Sequence, residues 1–490
     1  MNYTRHNLDD TIVALATPAG VGAIGVIRLS GKDAILIADK LFFGKKLARQ
    51  KTHTIHFGTI RDADGRIVDE VLASLFIAPH SYTKENVVEL SCHGSPYILQ
   101  QIMQLALQNG ARMAQAGEFT LRAFLNGQMD LSQAEAVADL IASNSEAAHT
   151  LAMRQMRGGF SEQIKILRGR LVNFASLIEL ELDFGEEDVE FANRDELRRL
   201  IIDIQQLIRK LMDSFALGNV LKNGVSTVIA GRPNAGKSTL LNALLNEERA
   251  IVSEIAGTTR DTIEEVLNIN GIAFRLIDTA GLREATDTIE AIGIARTMEK
   301  VASSAILIYV FDISETKIDE VLLDLMKLNR ADMRLLVVCN KMDRNPYFRP
   351  EWLTNPFDET IPPFFLSNEF IEKTNPSVFA DFKLKEEQII TLSAKNGQNI
   401  SWLKENLLRS VAEGGLNLDN PIVSNARHYE ALQKSDENLD LVLRGLADGV
   451  TNDFVAMDIR RALHHLGEIT GDISTDDLLE NIFSKFCIGK

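Results

Sequence analysis

The stretch GRPNAGKST, Gly231 to Thr239, decides how the chain is read. It fits G-x-x-x-x-G-K-[ST], with Gly231, Gly236, Lys237 and Ser238 in the fixed places. A P-loop needs glycines because its backbone must curl until consecutive N–H groups point inward at phosphate oxygens. Lys237 then reaches the β- and γ-phosphates, and the Ser238 hydroxyl ligates Mg2+. The flanks agree. Residues 226–230 (STVIA) are β-branched and apolar, a buried-strand pattern, and 239–245 (TLLNALL) open a helix. The helix N-terminus favours anions, so Asn234, Ala235, Gly236, Lys237, Ser238 and Thr239 form the expected phosphate cradle.

Three later stretches narrow the nucleotide. DTAG (Asp278, Thr279, Ala280, Gly281) follows an apolar run; Asp278 is placed to hold Mg2+ through water and the Gly281 N–H to meet the γ-phosphate. NKMD follows RLLVVC and supplies Asn340, Lys341 and Asp343. The Asp343 carboxylate can accept from both N1–H and the 2-amino group of guanine, a donor pair that adenine lacks. SAK (Ser393, Ala394, Lys395) follows IITL and brings its backbone to the guanine O6. Four strand-end motifs in this order indicate a GTP-binding domain.

Composition sets the frame. Net charge is −16, from 52 basic and 68 acidic residues, which excludes a protein that coats nucleic acid indiscriminately but leaves room for a local basic patch. Cys92, Cys339 and Cys487 are few, odd in number and widely spaced, which fits a reducing compartment. The N-terminus lacks a signal-peptide pattern, and no apolar run approaches the roughly 20 residues that span a bilayer. A cytoplasmic, soluble protein with no membrane contact is expected.

Residues 1–120 alternate short β-type runs with Gly, Pro and Asp turns and hold one helix, 96–108. Gly20, Gly22 and Gly25 spell G-x-G-x-x-G, but strand-like VIRLS follows, so a glycine-rich turn between strands is the better reading than a dinucleotide site. From 121 to 222 the apolar period is helical, and it is helical again after 413. The acidic run Glu186, Glu187, Asp188 and Glu190 reads as a solvated loop, and His464 and His465 as helix-face residues rather than ligands. Residues 344–388 carry many Pro and Phe and read as a surface insertion. Helices on either side of the GTPase segment most simply pack together, making that segment an insertion.

The strings TPxGxGAIGVIRLSG, ELSCHG, GEFTLRAFLNG, DLSQAEAVADLI, GRPNAGKS, GTTRD, DTAGLRE and terminal CIGK together resemble the MnmE (TrmE) tRNA-modification GTPases. The resemblance covers nearly the whole chain, the excursion at 344–388 excepted. It implies an N-terminal α+β domain at 1–120 that binds tetrahydrofolate and dimerises the protein. It further implies an all-helical domain split between 121–222 and 413–490. A Ras-like P-loop GTPase domain with a mixed, mostly parallel sheet would be inserted at 223–412. The implied work is done as a homodimer, in a heterotetramer with the FAD-dependent MnmG (GidA) protein. It places an aminomethyl or carboxymethylaminomethyl group on C5 of the wobble uridine (position 34) of tRNA. A one-carbon unit from 5-formyltetrahydrofolate or a related tetrahydrofolate would be used. A ribosome-assembly GTPase resembling Era or Der is the alternative.

Hydrolysis needs a residue that orients water, and the place where Ras-like enzymes put Gln is Leu282, which has no polar atom to offer. Glu284, Asp287 and Glu290 are the nearby acids, and the resemblance points to Glu290. Asn234 could bind K+ through its side-chain oxygen; by resemblance the carbonyls of Ser253, Ile255 and Thr258 would cap that ion. Thr259 would complete the Mg2+ shell with Ser238, and Glu254, Ala256 and Gly257 complete the nucleotide-contacting stretch. For folate the resemblance marks Arg28, Glu89, Gln128 and Lys490, with Gln128 standing where some relatives have Lys. Cys487, between Phe486 and Ile488, reads as apolar packing with its role left open.

Overall fold

The computed structural model describes residues 9–183, 194–246, 264–278, 304–330, 333–367, 382–412, 421–448 and 450–489. They divide into two compact units: Met1–Ala142 with Ala152–Phe215 and Asn425–Lys490, and Ser143–Leu151 with Ala216–Ser424.

The first unit opens on a seven-stranded sheet. Its strands are β1 (Ile12–Leu15), β2 (Ile24–Ser30), β3 (Phe42–Phe43), β4 (Thr54–Arg61), β5 (Ile67–Phe76), β6 (Val87–His93) and β7 (Arg112–Met113), in the order β3-β4-β5-β6-β2-β1-β7. Strict alternation decides the faces. Leu75, Val88, Leu29 and Val13 lie in one register row, all fully buried beneath the helices Ala34–Leu41 and Pro96–Gln108. The opposite face carries Ile24, Ile55, Phe57 and Leu72, all exposed, alongside Arg28 and Glu89. The helix Pro96–Gln108 matches its sequence reading because Pro96 suits N1 and the apolar spacing is three and four. The glycines at 20, 22 and 25 fall in the β1–β2 connection and at the start of β2, as a turn rather than a helix opening.

The rest of this unit is helical. Gly159–Asp183, Arg194–Asp213, Ala426–Asp448 and Asn452–Thr470 pack side by side, so helices that precede residue 216 lie against helices that follow residue 424. Gln205 donates to Asp440 at 2.7 Å across that join. Glu135, on the helix Leu131–Ala142, receives Arg427 and His428 in the same interior.

The second unit holds a six-stranded sheet, β13-β12-β11-β8-β10-β9. Its strands are β8 (Val225–Ala230), β9 (Glu264–Ile269), β10 (Ile272–Asp278), β11 (Ile306–Asp312), β12 (Arg334–Asn340) and β13 (Ile389–Thr391). Every pairing is parallel except β9–β10. Both faces are covered, which is why β11 and β12 are continuous apolar runs rather than alternating ones. Helices Lys237–Asn246 and Ile400–Ala412 cover one face and Ile318–Leu328 the other.

One boundary and one burial reading differ from the sequence reading. The helix Phe215–Asn223, read as the end of the helical segment, packs Leu217 and Leu221 with Ile422, Ala147 and Leu151 in the second unit. Residues 344–367 are not a surface excursion. Phe348, Trp352 and Phe365 are buried, with ring centroids 4.9–5.8 Å apart and Phe348 6.0 Å from Phe311 of β11. Proline spacing suggested a loop, yet the aromatics extend the core on the Ile318–Leu328 face, because rings of that size gain most by leaving water. Residues 368–381 lie outside the described set.

Candidate functional site

Three motifs meet at the carboxyl ends of β8, β12 and β13, where open α/β sheets bind ligands. Gly231 leaves β8 at φ +149°, and a Cβ there would stand 2.0 Å from the Val310 carbonyl oxygen, so no other residue lets the loop turn so close to β11. Lys237 donates to the Gly231 and Arg232 carbonyls at 2.8 and 3.0 Å, which folds its ammonium across the loop. Asn234 is exposed, in left-handed backbone at φ +61°. Ser238 and Thr239 are exposed at the start of the helix.

One buried side chain ties the motifs together. Asn340 donates to the Ala235 carbonyl at 2.8 Å and accepts from the Lys341 and Ala394 N–H groups at 2.8 and 3.0 Å. It is 2% exposed, so each of these bonds is made away from water, where an unmade one is costly. Lys341 reaches the Asn234 carbonyl at 2.8 Å and the Asp312 carboxylate at 2.6 Å. Burial pushes the Asp312 carboxyl up, but hydrogen bonds from Lys341 and Ser314 outweigh it and hold the group below its ordinary range. Ser393 donates to Asp343 at 2.6 Å and so lowers the Asp343 carboxyl, which stays exposed and acceptor-only. Lys395 is exposed on the same turn.

Asp312, Arg232 and Tyr309 were missed in the sequence. Arg232, inside the P-loop, pairs with Asp324 at 2.8 Å and with Glu320, and Tyr309 donates to Asp324 at 2.6 Å. The loop is thereby anchored to the helix Ile318–Leu328, and Arg232 is committed to that anchor. For Asp312 a signal did exist: it ends β11 as Asp278 ends β10. Asp278 pairs with Ile229 at the end of β10. Ser253, Glu254, Ile255, Ala256, Gly257, Thr258, Thr259, Thr279, Ala280, Gly281, Leu282 and Glu290, like the acidic run at 186–190, lie outside the described residues.

A second cluster forms on the N-terminal sheet. Arg28 and Glu89 face each other across β2 and β6 and pair at 2.8 Å, so they are one ionic unit rather than two independent contacts. Arg28 also donates to the Gly489 carbonyl at 3.2 Å and lies over the Tyr82 and Phe119 rings, 5.8 and 5.6 Å from their centroids. Gly489, at φ +98°, is pressed so close to β1 that a Cβ would meet the Leu15 carbonyl at 2.3 Å. The last residues are thus brought to Arg28 from 461 positions away; Lys490 itself is outside the described residues. Tyr82 and Gln128 line one open cleft of about 490 Å3 with His53, Phe76, His80 and Ser81. Tyr82 therefore links Gln128 to Arg28, a link the sequence did not disclose. Cys487 is exposed and Ile488 is 60% exposed, so the apolar-packing reading of Cys487 is wrong; only Phe486 is buried.

Residues 11–128 match the family described as GTP-binding protein TrmE N-terminus, and residues 131–487 match the MnmE helical domain. A relative from Cytophaga hutchinsonii named tRNA modification GTPase MnmE is 54% identical over 99% of this chain and 99% of its own. The chain belongs to the MnmE family of tRNA modification GTPases. Another MnmE relative, from Christiangramia forsetii, is also 54% identical, over 99% of this chain and all of its own. Among solved structures, Aquifex aeolicus Era Y63A bound to GDP·AlF4− is 23% identical with a TM-score of 0.26, over 44% of this chain and 67% of that chain. No helix among the described residues of this MnmE-family chain is long and apolar enough to cross a membrane.

Proposed function

We propose that this chain hydrolyses GTP as one half of an enzyme that modifies C5 of the wobble uridine of tRNA. The observation that carries the reading is the Asn340 junction. It fastens the phosphate loop to both base-reading loops, in a chain more than half identical over its length to proteins named for GTP and tRNA. That full-length identity favours it over a ribosome-assembly GTPase.

In this reading Lys237 neutralises the β- and γ-phosphates, Ser238 and Thr259 hold Mg2+, and Asp278 orients it through water. Asp343 reads guanine while Ser393 fixes its carboxylate. Glu290 orients the attacking water, because Leu282 has no polar atom for that work. Asn234 presents an exposed side-chain oxygen, a donor that suits a hard cation, with Ser253, Ile255 and Thr258 supplying carbonyls. A potassium ion there adds the positive charge that an arginine finger brings to other GTPases. Arg232 cannot serve as that finger while Asp324 and Glu320 hold it. Hydrolysis is therefore expected to be at least about tenfold faster in K+ than in Na+, an effect of the size charge stabilisation commonly brings. Phosphate release measured in the two salts checks this, and equal rates would remove Asn234 from the mechanism.

Arg28, Glu89, Gln128 and Lys490 are proposed to hold the tetrahydrofolate that brings the one-carbon unit. The residues present fit a flat group that carries N–H donors: the Glu89 carboxylate can accept from them, the Arg28 guanidinium lies over two rings beside it, and an open cleft adjoins. The exposed Ile55, Phe57 and Leu72, neighbours on β4 and β5 on the face that carries Arg28, support a homodimer through this sheet, since apolar side chains grouped on an exposed face suit a partner surface. The FAD-dependent MnmG partner and a cytoplasmic location complete the reading. Mass analysis of wobble uridines from a strain lacking the chain tests it; an unchanged modification profile would overturn it.

A further inference from the structure

The most basic stretch of this acidic chain is not in the GTPase unit. Lys40, Lys45, Lys46, Arg49, Lys51 and Arg61 fall between Asp39 and Asp62 with no acid among them. They run from the last turn of the helix Ala34–Leu41, past the edge strand β3, to the end of β4. The first five are exposed, and none of the six is in an ion pair among the described residues. Asp39 and Asp62, the acids that bound this stretch, are otherwise engaged. Asp39 accepts the Leu47 and Ala48 N–H groups at 2.6 and 3.1 Å, which shapes the basic loop rather than neutralising it. Asp62 accepts from Asp64 and Arg66 in its own turn. Asp33 faces the row across an open cleft of about 790 Å3 that Lys40, Phe43 and Lys46 also line, and exposed Glu70 stands in register with Thr59 and Phe43; both acids flank the row without an ion pair to it among the described residues. Phe43 is 49% exposed, and the Arg61 guanidinium lies 4.9 Å from its ring centroid.

We propose that this edge is a tRNA-binding surface. The cations grip the phosphodiester backbone, and Phe43 with Arg61 offers a stacking platform for an unpaired base. The inference rests on the tRNA reading above. A single phosphate or a small anion would need donors that converge, whereas these are strung along a loop and a sheet edge, as a polyanion requires. With net charge −16, the protein repels RNA except where cations gather unpaired. Lysines on an edge strand can also serve only to block sheet-to-sheet association, and the experiment separates that role.

The test uses the full-length protein and an unmodified tRNA transcript. The variant Lys45→Gln/Lys46→Gln/Arg49→Gln/Lys51→Gln should bind the transcript at least about tenfold more weakly near 0.1 M salt. Its log-affinity against log-salt slope should be shallower by about 3, since each lost phosphate contact removes 0.7–0.9. Thermal unfolding and GTP hydrolysis without tRNA should not change. In the wild type, bound transcript should shield Lys45 and Lys46 from acetylation, a readout that needs no variant. An unchanged slope with unshielded lysines overturns the surface, as does a variant that only aggregates while the wild-type lysines stay unshielded. If the wild type binds transcript and deletion abolishes wobble modification, such a result sinks this surface alone. If the wild type binds no tRNA, the reading of function falls with it.

Discussion

Replacing Asp343 by Asn is expected to lower affinity for GTP by about 10²-fold or more and to transfer preference to xanthosine triphosphate. Asp343 is exposed, and Ser393 donates to one of its oxygens, which keeps the carboxyl ionised and fixed in orientation. An ionised carboxylate only accepts, and guanine presents two donors on one edge, N1–H and the 2-amino group. Asn keeps one acceptor but turns a donor toward the 2-amino group, so the bond is replaced by a clash of donors. Xanthine carries oxygen at that position and accepts from the amide. Loss of complementary hydrogen bonds in a site built for them is what discriminates most strongly between substrates. Ser393→Ala, which frees the carboxylate without removing it, should cost less than Asp343→Asn and leave xanthosine triphosphate disfavoured. Competition titrations with a fluorescent nucleotide would decide. Unchanged preference for GTP in Asp343→Asn would mean that another residue reads the base.

That prediction was available from NKMD alone, and the reason shows where sequence reading works here. Motifs such as GRPNAGKS and NKMD have their geometry within a few residues, so spacing discloses them. The apolar strands that end in the P-loop and in NKMD were legible too, while the mostly parallel arrangement of the sheet came with the family resemblance. What joins the motifs was not legible. Asn340 reaches Ala235 and Ala394 across 105 and 54 residues, by bonds to backbone that any residue at those positions would offer. Nothing in the sequence marks them. The same holds for Arg28, which lies over the Tyr82 ring and donates to the Gly489 carbonyl 461 residues further along the chain. At 344–367 local signals misled, because prolines mark breaks in regular structure but say nothing about burial of the rings between them.

Glu135→Gln should be among the most destabilising single substitutions in the helical part, and its signature should lie in the pH dependence. The Glu135 side chain is buried, accepting from His428 at 2.7 Å and from Arg427 at 3.0 and 2.8 Å. Burial alone pushes this carboxyl up; the His428 imidazole and the Arg427 guanidinium outweigh it and hold the group at about 2. In the unfolded chain the same carboxyl titrates near its ordinary 4.5. Between those values the unfolded state binds more protons, so stability is fully present above about 4.5 and is lost as pH falls toward 2. Breaking a buried pair by removing one partner costs about 3–5 kcal/mol, because the remaining charge has no compensation. Arg427 sharpens the effect, since it also donates to the Glu468 and Ile469 carbonyls at the end of the helix Asn452–Thr470. One carboxylate thus secures the guanidinium that joins three helices, two of them from beyond residue 424. Thermal melts followed by circular dichroism should show wild-type stability falling steeply below pH 4.5, and Glu135→Gln melting lower at pH 7 with a much flatter acid limb. A variant that keeps the wild-type acid limb would show that other carboxylates set the acid sensitivity of this interior.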